Sequence, residues 1–197
     1  LSFWEQYDML ADRFLNLHKN GNCKWKEKAM STGKVRVYCG DGRGKTSAAL
    51  GCAIHEACSE GSVIIVEFLK KKNEDEIRFL SRLEPEIRVF RFQKSDRDYR
   101  ELNEKEQFEE QMNMVNGINF ARKVLQTGEC SALVLDEVLG LVDNQIISEE
   151  DLLRLLDLRS EDTDVILTGR VLGDALLEYA DSVYQICVKK DGTQSDS

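Results

Sequence analysis

The chain has 197 residues, a single proline, 42% apolar and 32% charged residues, the balance of a folded domain with its own core rather than of a disordered chain. Lys plus Arg number 27 against 36 Asp plus Glu, and the net charge of −9 excludes a general nucleic-acid binder, which needs surplus cations for phosphate. No apolar run approaches the ~20 residues of a membrane span, so no membrane partner is expected.

Residues 1–34 differ from the rest, with six cations against four anions. Ser2 and Glu5 fit a capping box, and Phe3, Tyr7, Leu10, Phe14 and Leu17 then recur at helical spacing. This stretch reads as an amphipathic helical arm. From residue 35 a strand, loop, helix pattern repeats. Val35–Cys39 reads as a strand, Gly40–Gly44 as a glycine-rich turn, and Lys45 to about Ser59 as a helix with a small-residue face. Val63–Leu69 and Ile87–Phe92 read as strands. The charged stretch Lys94–Glu110 reads as a solvated loop and helix start. Asn103 and Glu106 open a long helix, whose apolar side is expected at Phe108, Met112, Val115, Ile118 and Leu125.

Ala132–Leu135 is a strand ending in Asp136-Glu137, and Ser148 and Asp151 cap a leucine-rich helix, Leu152–Leu158. A strand at Val165–Thr168, a short helix around Asp174–Ala180 and a last strand at Val183–Val188 complete the pattern, and residues 191–197 form a polar tail. Apolar strands alternating with helices predict an α/β fold, a mainly parallel sheet covered by helices on both faces. The expected organisation is an arm (1–34), one domain (35–190) and the tail.

The strongest chemical signal is Gly40-Asp41-Gly42-Arg43-Gly44-Lys45-Thr46, with Ser47 next in the helix. It lies between a strand and a helix, the context of a phosphate-binding loop, so the fold is P-loop NTPase-like. Glycines let backbone amides turn onto phosphate oxygens, and the helix start adds partial positive charge. Lys45 supplies a point charge and the Thr46 hydroxyl a ligand for Mg²⁺. In the common G-x-x-x-x-G-K-[ST] pattern Cys39 would stand at the first glycine, so the loop is a variant.

Asp136-Glu137 at a strand end is where a P-loop protein holds Mg²⁺, directly or through water. Glu137 can instead activate water, which favours ATP hydrolysis. Thr168-Gly169-Arg170 brings Arg170 to the same rim, for phosphate or ribose. Glu67-Phe68-Leu69-Lys70 ends another strand, where Lys70, Lys71 or Lys72 can face the site. The six cysteines form no C-x-x-C pair and there are two histidines, so no zinc site is expected. No signal peptide is visible, and the cysteines read as reduced thiols of a cytoplasmic protein. The residues thus describe a Mg-nucleotide binder, with ATPase, kinase and nucleotide-responsive regulatory readings all open.

The tight loop Gly40–Thr46 resembles the G-N-G-K-G-K-T loop of the P-loop type of ATP:corrinoid adenosyltransferase. The likeness continues through Val66–Lys70, Val134–Glu137, Ile166–Arg170 and Ala175–Val183, in the same order. Phe90-Arg91-Phe92 and Tyr99 fall near the place of that family's corrinoid-associated F-x-W segment, without a tryptophan. The resemblance implies transfer of the 5′-deoxyadenosyl group of ATP to the cobalt of a reduced corrinoid, with triphosphate leaving. It implies that the loop and Lys45 stabilise the leaving triphosphate, and that Thr46 with Asp136 or Glu137 holds Mg²⁺. It also implies a homodimer and a flavoprotein that supplies reduced corrinoid.

Overall fold

A computed structural model of the protein describes residues 33–70 and 79–190. The expected arm lies outside the described residues except for Gly33 and Lys34, and so does the tail. Six strands form one sheet: β1 (Val35–Cys39), β2 (Val63–Glu67), β3 (Ile87–Arg91), β4 (Ala132–Asp136), β5 (Asp164–Thr168) and β6 (Ser182–Gln185). Their order is β3-β2-β4-β5-β1-β6, and every pairing is parallel. Parallel neighbours need long crossovers. Those described are made by the helices α1 (Lys45–Cys58), α2 (Glu104–Thr127), α3 (Leu139–Asp143), α4 (Glu149–Leu156) and α5 (Asp174–Tyr179).

Sequence sets each strand's place. The apolar runs VIIVE and ALVLD are buried at every position, as interior strands covered on both faces must be. IRVFR and SVYQ, with polar residues interleaved, form the two edges. On one face Val35, Val37, Ile64, Val66, Leu133 and Leu135 pack against Met114, Ile118, Leu125, Leu152 and Leu176 of α2, α4 and α5. On the other face Val63, Ile65, Val134 and Ile166 meet Ala49 and Ala53, whose small side chains bring α1 close to the sheet.

Among the described residues the two expected capping boxes form: Asn103 accepts from the Glu106 amide, and Ser148 from the Asp151 amide. The apolar side of α2 is the expected one at Ile118 and Leu125 but not in the first half of the helix. Phe108 is 64% and Met112 50% exposed, whereas Glu110, Met114, Gly117, Ile118, Ala121, Val124 and Leu125 are buried. The true contact row contains a glycine and a carboxylate, so apolar spacing alone picks the wrong row in the first half of the helix. Glu110 is tolerated there because its carboxylate accepts from the amides of Lys94 (3.1 Å) and Ser95 (2.7 Å). Hence the stretch Lys94–Glu110 is not merely a solvated loop. It folds back through a 3-10 turn, Tyr99–Glu101, and buries Tyr99 and Leu102. The last strand stops at Gln185, short of the expected Val188. The Ile186 carbonyl instead accepts from the Gly42 amide at 2.9 Å.

Candidate functional site

The carboxyl ends of parallel strands are where open α/β sheets bind ligands, and there the register gathers the chemistry. Pairing of β2 with β4 sets Glu67 beside Asp136, and pairing of β4 with β5 carries Leu135 against Leu167, which brings Thr168 next to Asp136. The loop Gly40–Gly44 leaves β1 two strands from β4 and enters α1.

Gly40 has φ +102°, and a Cβ there would lie 2.4 Å from the Ile186 carbonyl oxygen. The position therefore demands glycine twice, by conformation and by space. The Gly40 amide donates to the Arg170 carbonyl at 2.9 Å, so the segments after β5 and β6 both brace the loop. Lys45 folds back over the loop, its Nζ donating to the Gly40 and Gly42 carbonyls at 2.7 and 2.9 Å.

Thr46 Oγ1 donates towards Asp136, 3.0 and 3.1 Å from its two oxygens. Thr168 Oγ1 donates to Asp136 Oδ1 at 2.7 Å and accepts from the Glu137 amide at 2.7 Å. Asp136 is buried at 2% exposure. Glu137 has φ +59°, a strained backbone for a residue with a side chain, of the kind that clusters at functional positions. Burial pushes its carboxyl above the usual range and Asp136 adds to the shift, while Lys45 and Arg170 oppose it. Gly169 lets the β5 end approach α3, since a Cβ there would lie 2.3 Å from Leu139 Cβ.

These groups line a cavity of about 470 Å³. Asp41, Gly42, Arg43, Gly44, Lys45 and Thr46 form one wall, and Asp136, Glu137 and Arg170 the floor and rim. Gly40 and Ser47 are not on the cavity wall: Gly40 is pressed against Ile186, and Ser47 is exposed on the first turn of α1. Of the candidate lysines Lys70 lines the cavity, while Lys71 and Lys72 lie outside the described residues. Phe90 and Phe92 do not line it. They pack on Phe120 of α2 with ring centroids 4.5 and 5.8 Å apart. Tyr99 does line it, beside Arg100.

Sequence reasoning gave Thr168 no role, although the motif Thr168-Gly169-Arg170 marked its place. It also missed the far wall, where Arg100, Asp143 and Asn144 meet across the cavity from the loop. Arg100 Nε donates to Asn144 Oδ1 at 3.4 Å, and burial raises the Asp143 carboxyl against the opposing pull of Arg100. Neither short element there, the turn at Tyr99 or α3, has an amphipathic period long enough to read.

The donors at Asp136 and Thr46 are oxygen atoms, the type a hard cation takes. Among the described residues no group of three or more His, Cys, Asp or Glu could hold a metal by itself. The oxygen chemistry of the Thr46–Asp136 pair is of the type that fits magnesium.

The sequence model of one family, described as ATP:corrinoid adenosyltransferase BtuR/CobO/CobP, matches residues 31–196 of the chain. The chain is also 27% identical over 162 residues to the uncharacterized protein all2391 of Nostoc sp. (strain PCC 7120 / SAG 25.82 / UTEX 2576). That match covers 76% of this chain and 42% of the relative, so the chain spans less than half of the relative's length. Among the described residues no helix is long and apolar enough to cross a membrane.

Proposed function

This chain belongs to the ATP:corrinoid adenosyltransferase family, and on that premise we propose that it transfers the 5′-deoxyadenosyl group of ATP to the cobalt of a reduced corrinoid. The observation that carries the reading is the convergence of Lys45, Thr46 and Asp136 on one cavity at the strand ends.

In this reading Co(I) of the corrinoid attacks C5′ of ATP. The cobalt–carbon bond forms with the cobalt electron pair, the C5′–O5′ bond breaks, and its electrons leave on triphosphate. No proton moves at the reacting centre, so no general base is required. Charge on the leaving triphosphate is what the protein must stabilise. The loop amides of Asp41, Arg43 and Gly44 and the Lys45 ammonium serve that end, with Arg43 and Arg170 at the rim, while the Gly42 amide is held by the Ile186 carbonyl. Thr46 and Asp136 hold magnesium, with Glu137 beside them. When bound, the metal supplies positive charge against the developing triphosphate. Thr168 fixes the Asp136 carboxylate and so acts as a positioning residue.

The domain of residues 35–190 carries this chemistry, in the cytoplasm, with ATP and reduced corrinoid as substrates. The homodimer and the flavoprotein reductant are part of the proposal by resemblance. Glu137 beside Asp136 keeps hydrolysis as the second reading, and the two differ in product: triphosphate for adenosyl transfer, ADP for hydrolysis or phosphoryl transfer.

The site assignment is tested by Lys45→Ala. Calorimetric titration is expected to show loss of MgATP binding, with the thermal transition of the variant close to that of the parent. Unchanged affinity would remove the loop from the site.

A further inference from the structure

The glycine loop takes part of its shape from a segment far away in sequence. β6 ends at Gln185, opposite Cys39. The next residue, Ile186, donates its amide to the Cys39 carbonyl at 2.8 Å, and its own carbonyl accepts from the Gly42 amide at 2.9 Å. Ile186 is thus tied to the loop at both of its backbone polar groups. The fit between them is close. A Cβ at Gly42 would lie 2.8 Å from the Ile186 carbonyl oxygen and 2.8 Å from its Cγ2. Gly40 is pressed against the same carbonyl, so two of the three loop glycines make room for Ile186. Gly44 differs. It has φ +109°, and a Cβ there would meet nothing within 4 Å, so the loop is open where it enters α1.

Ile186 does little else for the fold. It is half-buried, belongs to neither apolar core, and is followed by the exposed Cys187 and Val188. It does not line the cavity, so it has no direct access to a ligand there. Gly42, the residue it holds, does line the cavity, between Asp41 and Arg43. A glycine samples many backbone states unless something fixes it. Ordering it only when a ligand arrives costs affinity, and fixing it beforehand removes that cost.

We infer that Ile186 is a positioning residue of the nucleotide site: through its carbonyl it holds Gly42, and with it the middle of the loop, in the phosphate-accepting shape before ligand binds. The inference rests on the nucleotide reading given above. It makes the segment after β6 part of the loop's architecture, although the two lie at opposite ends of the domain's sequence.

The test combines amide hydrogen exchange with calorimetry on the full chain. In the nucleotide-free parent the Gly42 amide is expected to exchange more slowly than the Arg43 amide. Ile186→Pro removes the donor to the Cys39 carbonyl and so loosens the brace. It should expose the Gly42 amide and weaken MgATP and magnesium triphosphate alike, about tenfold, the scale of ordering one loop residue on binding. Its thermal transition should stay near that of the parent, and Ile186→Val, which keeps both backbone bonds, should recover most of the loss. Should Ile186→Pro not fold, or keep the Gly42 amide protected, Gly42→Ala, whose methyl would meet the Ile186 carbonyl, carries the same comparison. A Gly42 amide that exchanges freely in the parent overturns the brace. A folded variant with the brace released that binds both ligands within twofold of the parent overturns its role in binding. Parent protein that binds neither ligand overturns the nucleotide reading itself, a different result.

Discussion

At Thr168 one hydroxyl holds two parts of the site. It accepts from the Glu137 amide and donates to Asp136 Oδ1, both at 2.7 Å, in a position with no solvent exposure. Thr168→Val keeps the shape and removes both bonds, leaving a buried amide and a buried carboxylate each short of a partner. The expected loss is about 1–3 kcal/mol in urea denaturation, with weaker MgATP affinity, while Thr168→Ser stays near the parent. A valine variant as stable as the parent would mean that water replaces the hydroxyl. The local motif residues could be read from sequence because their chemistry is local: the loop Gly40–Thr46, Asp136 and Arg170 each announce themselves within a few residues. The ion pair of Arg91 with Glu67 could not be read, because it forms only where β3 pairs with β2, and no local pattern encodes that neighbourhood.

Among the elements, α2 shows how caps and faces differ in legibility. A cap needs two residues three apart, and the Asn103–Glu106 pair fixes the helix start as the sequence implied. Asn103→Ala removes the acceptor for the Glu106 amide and should cost about 1 kcal/mol in thermal or chemical denaturation without moving nucleotide affinity. A change in ATP affinity there would tie the helix start to the site more closely than its contacts do. The helix face is harder to read, because burial follows the sheet beneath and not hydrophobicity alone. Gly117 sits in the contact row since a Cβ there would lie 2.7 Å from Phe68, and Glu110 because it caps the Lys94 and Ser95 amides. Phe108 and Met112, the apolar choices, face outward. The loop at the end of β1 is similar: its glycines were legible, but not its brace, the Ile186 carbonyl from beyond β6.

At the scale of the whole fold, burial separates four of the described cysteines into a protected and an accessible pair, with Cys52 half-buried between them. Cys39 and Cys130 are buried, whereas Cys58 and Cys187 are exposed. Burial pushes the Cys130 thiol up from 9.0 to about 11, and Cys39 is raised for the same reason. At pH 8 the thiolate is the reactive form. Mass spectrometry after brief alkylation of the folded protein should therefore find Cys58 and Cys187 modified, and Cys39 and Cys130 spared until denaturant is added. Early labelling of Cys130 would contradict the packing of β4 against its neighbours. The α/β class and parallel sheet followed from strand–helix alternation. The order β3-β2-β4-β5-β1-β6 did not, because many orders share that alternation.

That order places the loop Gly40–Gly44, Asp136 and Thr168 at adjoining strand ends, around the cavity proposed to handle ATP as an adenosyl donor. The most direct measurement is anaerobic: the full chain with MgATP and chemically reduced cobalamin, with the corrinoid spectrum followed and the phosphate product identified. A light-sensitive adenosylated corrinoid and one triphosphate per corrinoid converted are expected. ADP with an unchanged corrinoid spectrum would contradict the proposal.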